Sequence, residues 1–455
     1  MRRAIRRLRF TAIAAALLAA GSAQAMNFAE AVAAARSNDP AYRGAGHELE
    51  STRQGVPIAR AALLPQVGLA GSYADVHGTR SFFNAQDQEA KVGVAYNAPH
   101  ASLQMRLPLF NAEARARLDQ AEVQVDQAEA NYRGRGLDLI DRVGTAYLRT
   151  LLAAETLGLA EQERVSAEGQ LKRSAERFRR GEGTRSEEAL AQSNLDVNRV
   201  KVFEAKDQLE NARRALQRLT GRATTDLNQM NPEFVPDEPA QGGLFEWLET
   251  AVRNSPTIRA RQQALLAAQF NVKRQSAGHL PRVDLVASIA RSENESLTNL
   301  GQTSVLKTLS LQVNVPIYSG GGVSAGVKQA VAEQAKAEEA IREERENVET
   351  EVQRNYLLVA NGAARVQAYR RAAESSQVAY TGAVRSQEAG LGTTADVLDA
   401  QVRLFAARRD LAAARYDYLS ARLRLKAHAG LPLDEVTNDI DRLLPLPLTT
   451  ALKQP

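Results

Sequence analysis

The sequence repeats itself once along its length, and this internal duplication is its strongest constraint on the fold. Matched residues keep the same order in both halves: Asn38, Pro40, Arg43, Leu64, Pro65, Ser102, Leu103, Gln104, Pro108, Tyr147, Leu148, Gly181, Gly183, Thr184 and Gly221 recur as Asn254, Pro256, Arg259, Leu280, Pro281, Ser310, Leu311, Gln312, Pro316, Tyr356, Leu357, Gly390, Gly392, Thr393 and Gly430. The number of residues separating each matched pair falls from 216 to 208 between residues 73 and 102 of the first copy, and it is 209 from Tyr147 onward. The first copy therefore carries about eight extra residues there, which we expect in a loop.

The N-terminus has the features of a secretory signal peptide. Five arginines precede a short apolar run over 10–20, and the small-residue site Ala23-Gln24-Ala25 follows it. This pattern predicts export with cleavage after Ala25. An N-terminal membrane anchor is the alternative, but the apolar run is too short to span a bilayer.

Each copy begins with a helical stretch, predicted over about 41–63 and 257–278. The prolines at 40 and 256 suit the first helical position, and Asp39 and Ser255 suit the N-cap. Gly55 and Pro57 predict an interruption in the first stretch.

Apolar residues then alternate with period two, which predicts strands with one apolar face. The alternating residues are Val67, Leu69, Gly71, Tyr73, Val92, Val94 and Tyr96, with Leu103, Met105 and Leu107 expected to continue the same face, and in the second copy Val283, Leu285, Ala287, Ile289, Leu309, Leu311, Val313 and Val315. Four strands of about 9–11 residues result, enough to cross a bilayer at a tilt. The polar segments His77–Gln88 and Ser292–Ser304 are predicted hairpin loops.

Two very long helical stretches follow, because no proline occurs from Leu109 to Asn231 or from Ile317 to Leu431. Each is rich in good helix formers and is broken once by glycines, near 179–184 and 389–393. Helices of roughly 65 and 35 residues per copy are too long for one compact domain, so we expect them to pack along each other as in a coiled coil.

The predicted organisation is a signal peptide at 1–25, repeats at 26–230 and 244–430, a linker at 231–243 and a C-terminal segment at 431–455. Prolines in the linker and in the last segment predict irregular structure in both.

Charge and composition exclude several functions. Five of the 58 basic residues lie in 1–25, which leaves 53 basic and 53 acidic residues and no basic stripe for nucleic acid. The chain has no cysteine, and its five histidines are scattered. Gly320-Gly321-Gly322 lacks the spacing of a phosphate loop, so a turn explains it better. We expect no metal, no cofactor and no catalytic site.

An open sheet is unstable in lipid because its edge N–H and C=O groups lack partners. Since barrels begin at about eight strands, four strands per chain require further chains for closure. This reasoning does not distinguish three chains from two or four.

Several strings resemble the TolC family of outer-membrane efflux proteins. They are Leu63–Val67, Leu280–Val283, Pro108–Asn111, Pro316–Gly322 and, most specifically, Gly390–Gln401 at the second helix break. The similarity extends over essentially the whole chain after residue 25. It implies a mixed α and β fold: a homotrimer with a twelve-stranded outer-membrane β-barrel, four strands per chain, continued by a long periplasmic α-helical barrel.

The resemblance also implies a function and partners. The chain would be the exit duct of a tripartite export system, docked through a periplasmic adaptor (membrane fusion) protein to an inner-membrane ABC transporter or a proton-driven pump. Residues 49–73 are most similar to the type I branch, which favours protein secretion; the alternative is the outer-membrane component of a multidrug efflux pump.

In that family, acidic residues at the positions of Asp396 and Asp399 line the constricted periplasmic gate, and Glu187 is the first-copy counterpart of Asp396. The turns around them, expected to dock the adaptor, contain Gly181, Gly183, Thr184, Gly390, Gly392 and Thr393. Thr184 with Glu187 and Thr393 with Asp396 also have the spacing of capping boxes, and both roles are compatible. The Tyr and Arg that commonly latch this gate are replaced here by Gln387 and Gly392.

Two other classes of protein remain open. A periplasmic coiled-coil adaptor would explain the helices but not two strand hairpins. A secreted enzyme would need a catalytic site, and no Ser/His/Asp order or metal cluster is evident.

Overall fold

The computed structural model describes residues 25–223, 226–231, 234–236, 243–294 and 302–447. Its elements in chain order are α1 (Phe28–Asn38), α2 (Pro40–Arg53), α3 (Gly55–Ala61), β1 (Gln66–Phe83), β2 (Glu89–Phe110), α4 (Ala112–Arg179), α5 (Arg185–Thr220), β3 (Asn228–Gln229), α6 (Leu244–Asn254), α7 (Pro256–Ser276), β4 (Arg282–Asn294), β5 (Gln302–Asn314), α8 (Gly322–Glu388), α9 (Thr394–His428), α10 (Leu433–Leu443) and β6 (Leu446–Pro447). The predicted signal peptide, apart from Ala25, and most of the predicted linker lie outside the described residues.

The chain forms two compact units. One consists of residues 1–47, 131–258 and 344–455, and the other of residues 48–130 and 259–343. The first contains the main hydrophobic core, and the second contains the four-stranded sheet.

The helical stretches predicted at the start of each copy are confirmed as α2 and α3 in the first and α7 in the second, whereas α1 and α6 were not predicted. The Asp39 carboxylate accepts the backbone N–H of Tyr42 at 2.8 Å, and Ser255 Oγ accepts that of Ile258 at 3.4 Å. Arg142 also donates two hydrogen bonds to Asp39, at 2.8 and 3.0 Å, and this guanidinium holds the pKa of Asp39 below its ordinary value. The interruption predicted at Gly55 is confirmed, because α2 ends at Arg53 and α3 starts at Gly55.

The sheet is antiparallel, in the order β1-β2-β4-β5, so a strand of the second copy pairs directly with one of the first. Its strands contain 18, 22, 13 and 13 residues, longer than the predicted 9–11. The loop prediction for His77–Gln88 is wrong over most of its length, because only residues 84–88 connect β1 to β2. The hydrogen bonds between strands are made by backbone groups, so a run of polar side chains does not end a strand.

The second predicted loop, Ser292–Ser304, is also too long. Its flanks at 292–294 and 302–304 belong to β4 and β5. Residues 295–301 lie outside the described part of the chain.

Strand register gives most of the sheet one apolar and one polar face, since directly opposed residues point to the same side. The face that we call the apolar face contains Val67, Leu69, Leu103, Met105, Leu107, Leu285, Ile289, Leu309, Leu311 and Val313. The face that we call the polar face contains Gln66, Ser102, Gln104, Arg106, Ser288, Thr308 and Ser310.

One face assignment from the sequence is wrong. The sequence predicted that Val92, Val94 and Tyr96 share a face with Leu103. The β1–β2 ladder has no bulge, so side chains alternate strictly along β2, and even-numbered residues lie on the face opposite to odd-numbered ones. These three residues therefore continue the polar face, and the hairpin changes its apolar side between Leu103 and Tyr96.

The long helices contain 68, 36, 67 and 35 residues for α4, α5, α8 and α9, close to the predicted lengths. In the first unit the core is built around Tyr147, which is fully buried and packs edge-on against Phe28. Its hydroxyl donates to the carbonyls of Met26 and Asn228, at 2.8 and 3.0 Å. Burying an aromatic side chain contributes about 3 kcal/mol once its polar atom is satisfied.

The C-terminal segment is not irregular as predicted, because α10 occupies Leu433–Leu443. Val436 and Ile440, four residues apart, are buried with Leu444 in the main core. Asp441 accepts the backbone N–H groups of Phe28 and Ala29, at 2.7 and 3.1 Å, at the start of α1. α10 thus connects the C-terminal part of the chain to the start of α1.

Candidate functional site

The candidate site consists of the two helix turns, 180–184 between α4 and α5 and 389–393 between α8 and α9. Gly181 and Gly390 have φ of 74° and 76°, a left-handed conformation that favours glycine. A Cβ on Gly183 would lie 3.3 Å from the Cβ of Arg177, and one on Gly392 would lie 3.3 Å from the backbone nitrogen of Gln387. The repeated Gly-x-Gly-Thr sequence is therefore required by backbone shape and by close approach.

Capping boxes start the helices that leave both turns. The backbone N–H of Glu187 donates to Thr184 Oγ1 at 3.2 Å, and the carboxylate of Glu187 accepts the N–H of Thr184, also at 3.2 Å. Thr393 and Asp396 repeat this arrangement, at 3.2 and 2.9 Å. The capping interpretation of both pairs is confirmed.

The electrostatics of the second turn favour ionised carboxylates. The hydroxyl of Thr393 donates to Asp396 Oδ2 at 2.7 Å and lowers the pKa of this carboxyl, which is fully exposed. Asp399 is exposed one turn further along α9 and is too far from the helix start to cap it. Both carboxyl groups thus lie in the first two turns of α9, and a gate role for them stays a prediction.

Gln387, which stands where a latch residue is common, makes a buried polar link instead. Gln170 Nε2 donates to its Oε1 at 3.0 Å, and Gln387 Nε2 donates to Thr394 Oγ1 at 3.0 Å. Arg173 in turn donates to Gln170 Oε1 at 2.8 Å. This network joins α4, α8 and α9 beside the turns, where Gly392 offers no side chain.

A buried carboxylate that sequence reasoning missed lies nearby. The Glu163 side chain is 1% exposed and pairs with Lys201 Nζ at 2.8 Å and Arg409 Nη1 at 2.9 Å. Gln401 Nε2 donates to the Glu163 carbonyl at 3.2 Å. Because these partners lie on α5 and α9, this residue binds three long helices together.

The described part of the chain lacks two further features. None of its helices is long and apolar enough to cross a membrane. No group of three or more His, Cys, Asp or Glu side chains is placed to hold a metal ion.

Comparison with known proteins decides the family. The family model described as "Outer membrane efflux protein" matches residues 31–222 and 247–431. The chain belongs to the outer membrane efflux protein family. It is 31% identical to the proteases secretion protein PrtF of Dickeya chrysanthemi over 91% of this chain and 90% of that one. It is 28% identical to the alkaline protease secretion protein AprF of Pseudomonas aeruginosa, over 88% and 83%.

The fold agrees with this membership. The Campylobacter jejuni CmeC outer membrane channel superposes with a TM-score of 0.78 at 17% identity, over 92% of this chain and 90% of that one. The outer membrane efflux protein described here thus has the mixed α and β fold of trimeric TolC-like channels and is located in the outer membrane. In that setting the apolar face of its sheet suits contact with lipid, and the polar face suits a wet lumen.

Proposed function

We propose that this chain is the exit duct of a type I protein secretion system, passing protein from an inner-membrane transporter to the outside, rather than an enzyme. The observation that carries the proposal is the sheet itself. It has one apolar face, and its edge strands β1 and β5 pair with no further strand among the described residues. Lipid does not tolerate free edges, so closure requires other copies. Three copies give twelve strands around one channel.

Secretion of protein is favoured over drug efflux by the two relatives reported above, since PrtF and AprF, at 31% and 28% identity, are both protease secretion proteins by name. The partners implied are an inner-membrane ABC transporter and a periplasmic adaptor protein. A proton-driven pump would replace the transporter if drug efflux is the function.

The helix turns are the proposed adaptor surface and gate. Leu391, at the tip of the second turn, is 87% exposed, and an apolar side chain displayed at a helix tip favours contact with a partner. Three copies would bring Asp396 and Asp399 of each chain, with Glu187 nearby, around one opening. Such a ring of carboxylates attracts cations.

Deleting the gene in its own host tests the function. Loss of specific proteins from the culture medium, with unchanged drug susceptibility, is the expected result, and mass spectrometry of the medium with inhibitory-concentration measurements detects it. Unchanged medium proteins combined with increased drug sensitivity would favour efflux. The assembly is tested separately, because the detergent-solubilised protein should have the mass of three chains.

A further inference from the structure

The first hairpin extends well beyond the sheet. Pairing of β2 with β4 begins at His100 opposite Ser292, whereas pairing of β1 with β2 continues to Phe83 opposite Glu89. Pro99 is the first residue of β2 past the last β4 partner. About ten residues of each strand therefore have no third strand beside them among the described residues, and they form a two-stranded ribbon at the end of the sheet away from the end of α3 and the start of α4.

The ribbon inverts the polarity of the sheet. On the side that continues the polar face, the register places Val76 opposite Tyr96, Gly78 opposite Val94 and Phe82 opposite Ala90, and Val92 lies on the same side. On the side that continues the apolar face, it places mostly polar residues, namely Asp75, His77, Thr79, Ser81, Glu89, Lys91 and Asn97, with Tyr73 and Phe83 at the two ends of the ribbon. We call the side of the ribbon that continues the polar face its inner side. The inner side of the ribbon is therefore largely apolar, whereas the face of the sheet that it continues is polar.

The ribbon is also well fixed. Its residue pairs, like those of the rest of the β1–β2 ladder, show no register shift. In the connecting turn, Asn84 Oδ1 accepts the backbone N–H groups of Gln86 and Gln88, both at 3.0 Å, and the Gln88 carbonyl accepts the N–H of Asn84 at 3.0 Å. A turn with this many bonds keeps the two strands, and hence the two faces, in one register.

We propose that the three ribbons of the assembled channel pack their inner apolar sides against one another and form an apolar constriction at the outer mouth. This proposal rests on the trimeric barrel of the proposed function. A twelve-stranded barrel with strands about 4.8 Å apart, tilted by about 40°, has a radius of about 12 Å. Ten residues of strand extend about 33 Å. Each ribbon is therefore long enough to reach the barrel axis.

The other copies are the occupant that the geometry favours for this face. The ribbon's inner side is continuous with the lumen wall, so a closed barrel turns three identical apolar sides toward one axis. The polar face beneath the ribbon contains Gln104, Arg106 and serines, so the apolar character of this side is confined to the ribbon. An apolar zone confined to the mouth would close the channel to ions because it excludes water.

Disulfide cross-linking in the full chain tests the proposal, since the chain has no cysteine of its own. Val94→Cys places a thiol on the inner side of the ribbon. Ala95→Cys, the next residue, places one on the outer side and is the matched control. After copper–phenanthroline oxidation of outer membranes, Val94→Cys should give disulfide-linked dimers on a denaturing gel, and Ala95→Cys should stay monomeric.

Labelling of intact cells with a bulky, membrane-impermeant maleimide gives a second measurement. The thiol at 94 should react several-fold more slowly than the thiol at 95. Equal cross-linking or equal labelling of the two variants would overturn the proposal. So would a thiol at 94 that links only to exported protein during secretion, because the face would then contact cargo.

The mass of both variants in detergent separates this proposal from the function on which it rests. A mass other than three chains contradicts the assembly itself. Three chains without preferential linking at 94 contradict only the constriction.

Discussion

Replacing Glu163 by Gln should loosen the long helices locally while leaving the channel assembled. The side chain is 1% exposed, and its carboxylate forms ion pairs with both Lys201 and Arg409. Glutamine keeps the size and can still accept one hydrogen bond, so the change removes charge rather than volume. Both cations then lose their partner at the junction of α4, α5 and α9.

The magnitude follows from the burial of the three groups. Removing one partner of a buried ion pair typically costs about 3–5 kcal/mol. Lys201 and Arg409 are each 34% exposed and can turn toward water, so we expect the lower end of this range, about 3 kcal/mol. Local opening of the helices should therefore become about 100-fold more frequent.

Hydrogen–deuterium exchange of the detergent-solubilised full chain measures this opening segment by segment. Peptides around 163, 201 and 409 should exchange about 100-fold faster, and peptides of the sheet should not change. Glu161→Gln is the matched control, because this residue lies on the same helix, is 48% exposed and contacts Lys206 only at 4.0 Å. Exchange in Glu163→Gln that matches the control would refute the reasoning.

Three further predictions concern other parts of the structure. Asp39→Asn keeps an N-cap but loses the charged contact with Arg142, and should lower the free energy of unfolding by about 1.5 kcal/mol at pH 7. Because the pKa of Asp39 is lowered in the folded state, the advantage of the parent should be present above the ordinary carboxyl pKa of 3.8 and be lost as the pH falls through the lower pKa of the folded state, which thermal melts across pH measure. Gly430→Ala should destabilise more than Gly181→Ala in the same melts, because both positions have positive φ but only a Cβ at 430 would meet backbone, 2.7 Å from the carbonyl of Asn254. Replacing Asp396 and Asp399 together by Ala should lower cation selectivity and weaken block by trivalent cations in planar bilayers, without loss of assembly. A double variant that conducts like its parent would indicate that Asp396 only caps α9.

The helices were predictable because proline-free stretches and the repeated Gly-x-Gly-Thr sequence mark their ends directly. Capping by Thr184 and Thr393 follows from local spacing of three residues, which a sequence displays. Strand ends were less predictable. His77 and Thr79 are polar, yet the backbone ladder continues through them. A prediction from side-chain polarity therefore begins the β1–β2 loop several residues before the strand ends.

The buried polar contacts could not be read from the sequence. Glu163 is one of many glutamates on long helices, and its partners lie 38 and 246 residues away. The same is true of Gln170 and Gln387, 217 residues apart. By contrast, α10 left a readable signal, since Val436, Ile440 and Leu444 recur at helical spacing between prolines.

The free edges of the sheet have a genetic consequence. In a ring of three, every chain supplies both a β1 edge and a β5 edge, so one chain with a blocked edge leaves the whole ring open. If a cell makes blocked and normal chains in equal amounts and they mix at random, only about one ring in eight contains normal chains alone. A defect confined to β1 or β5 should therefore be dominant over the normal gene, whereas the loss of one gene copy merely halves the number of channels.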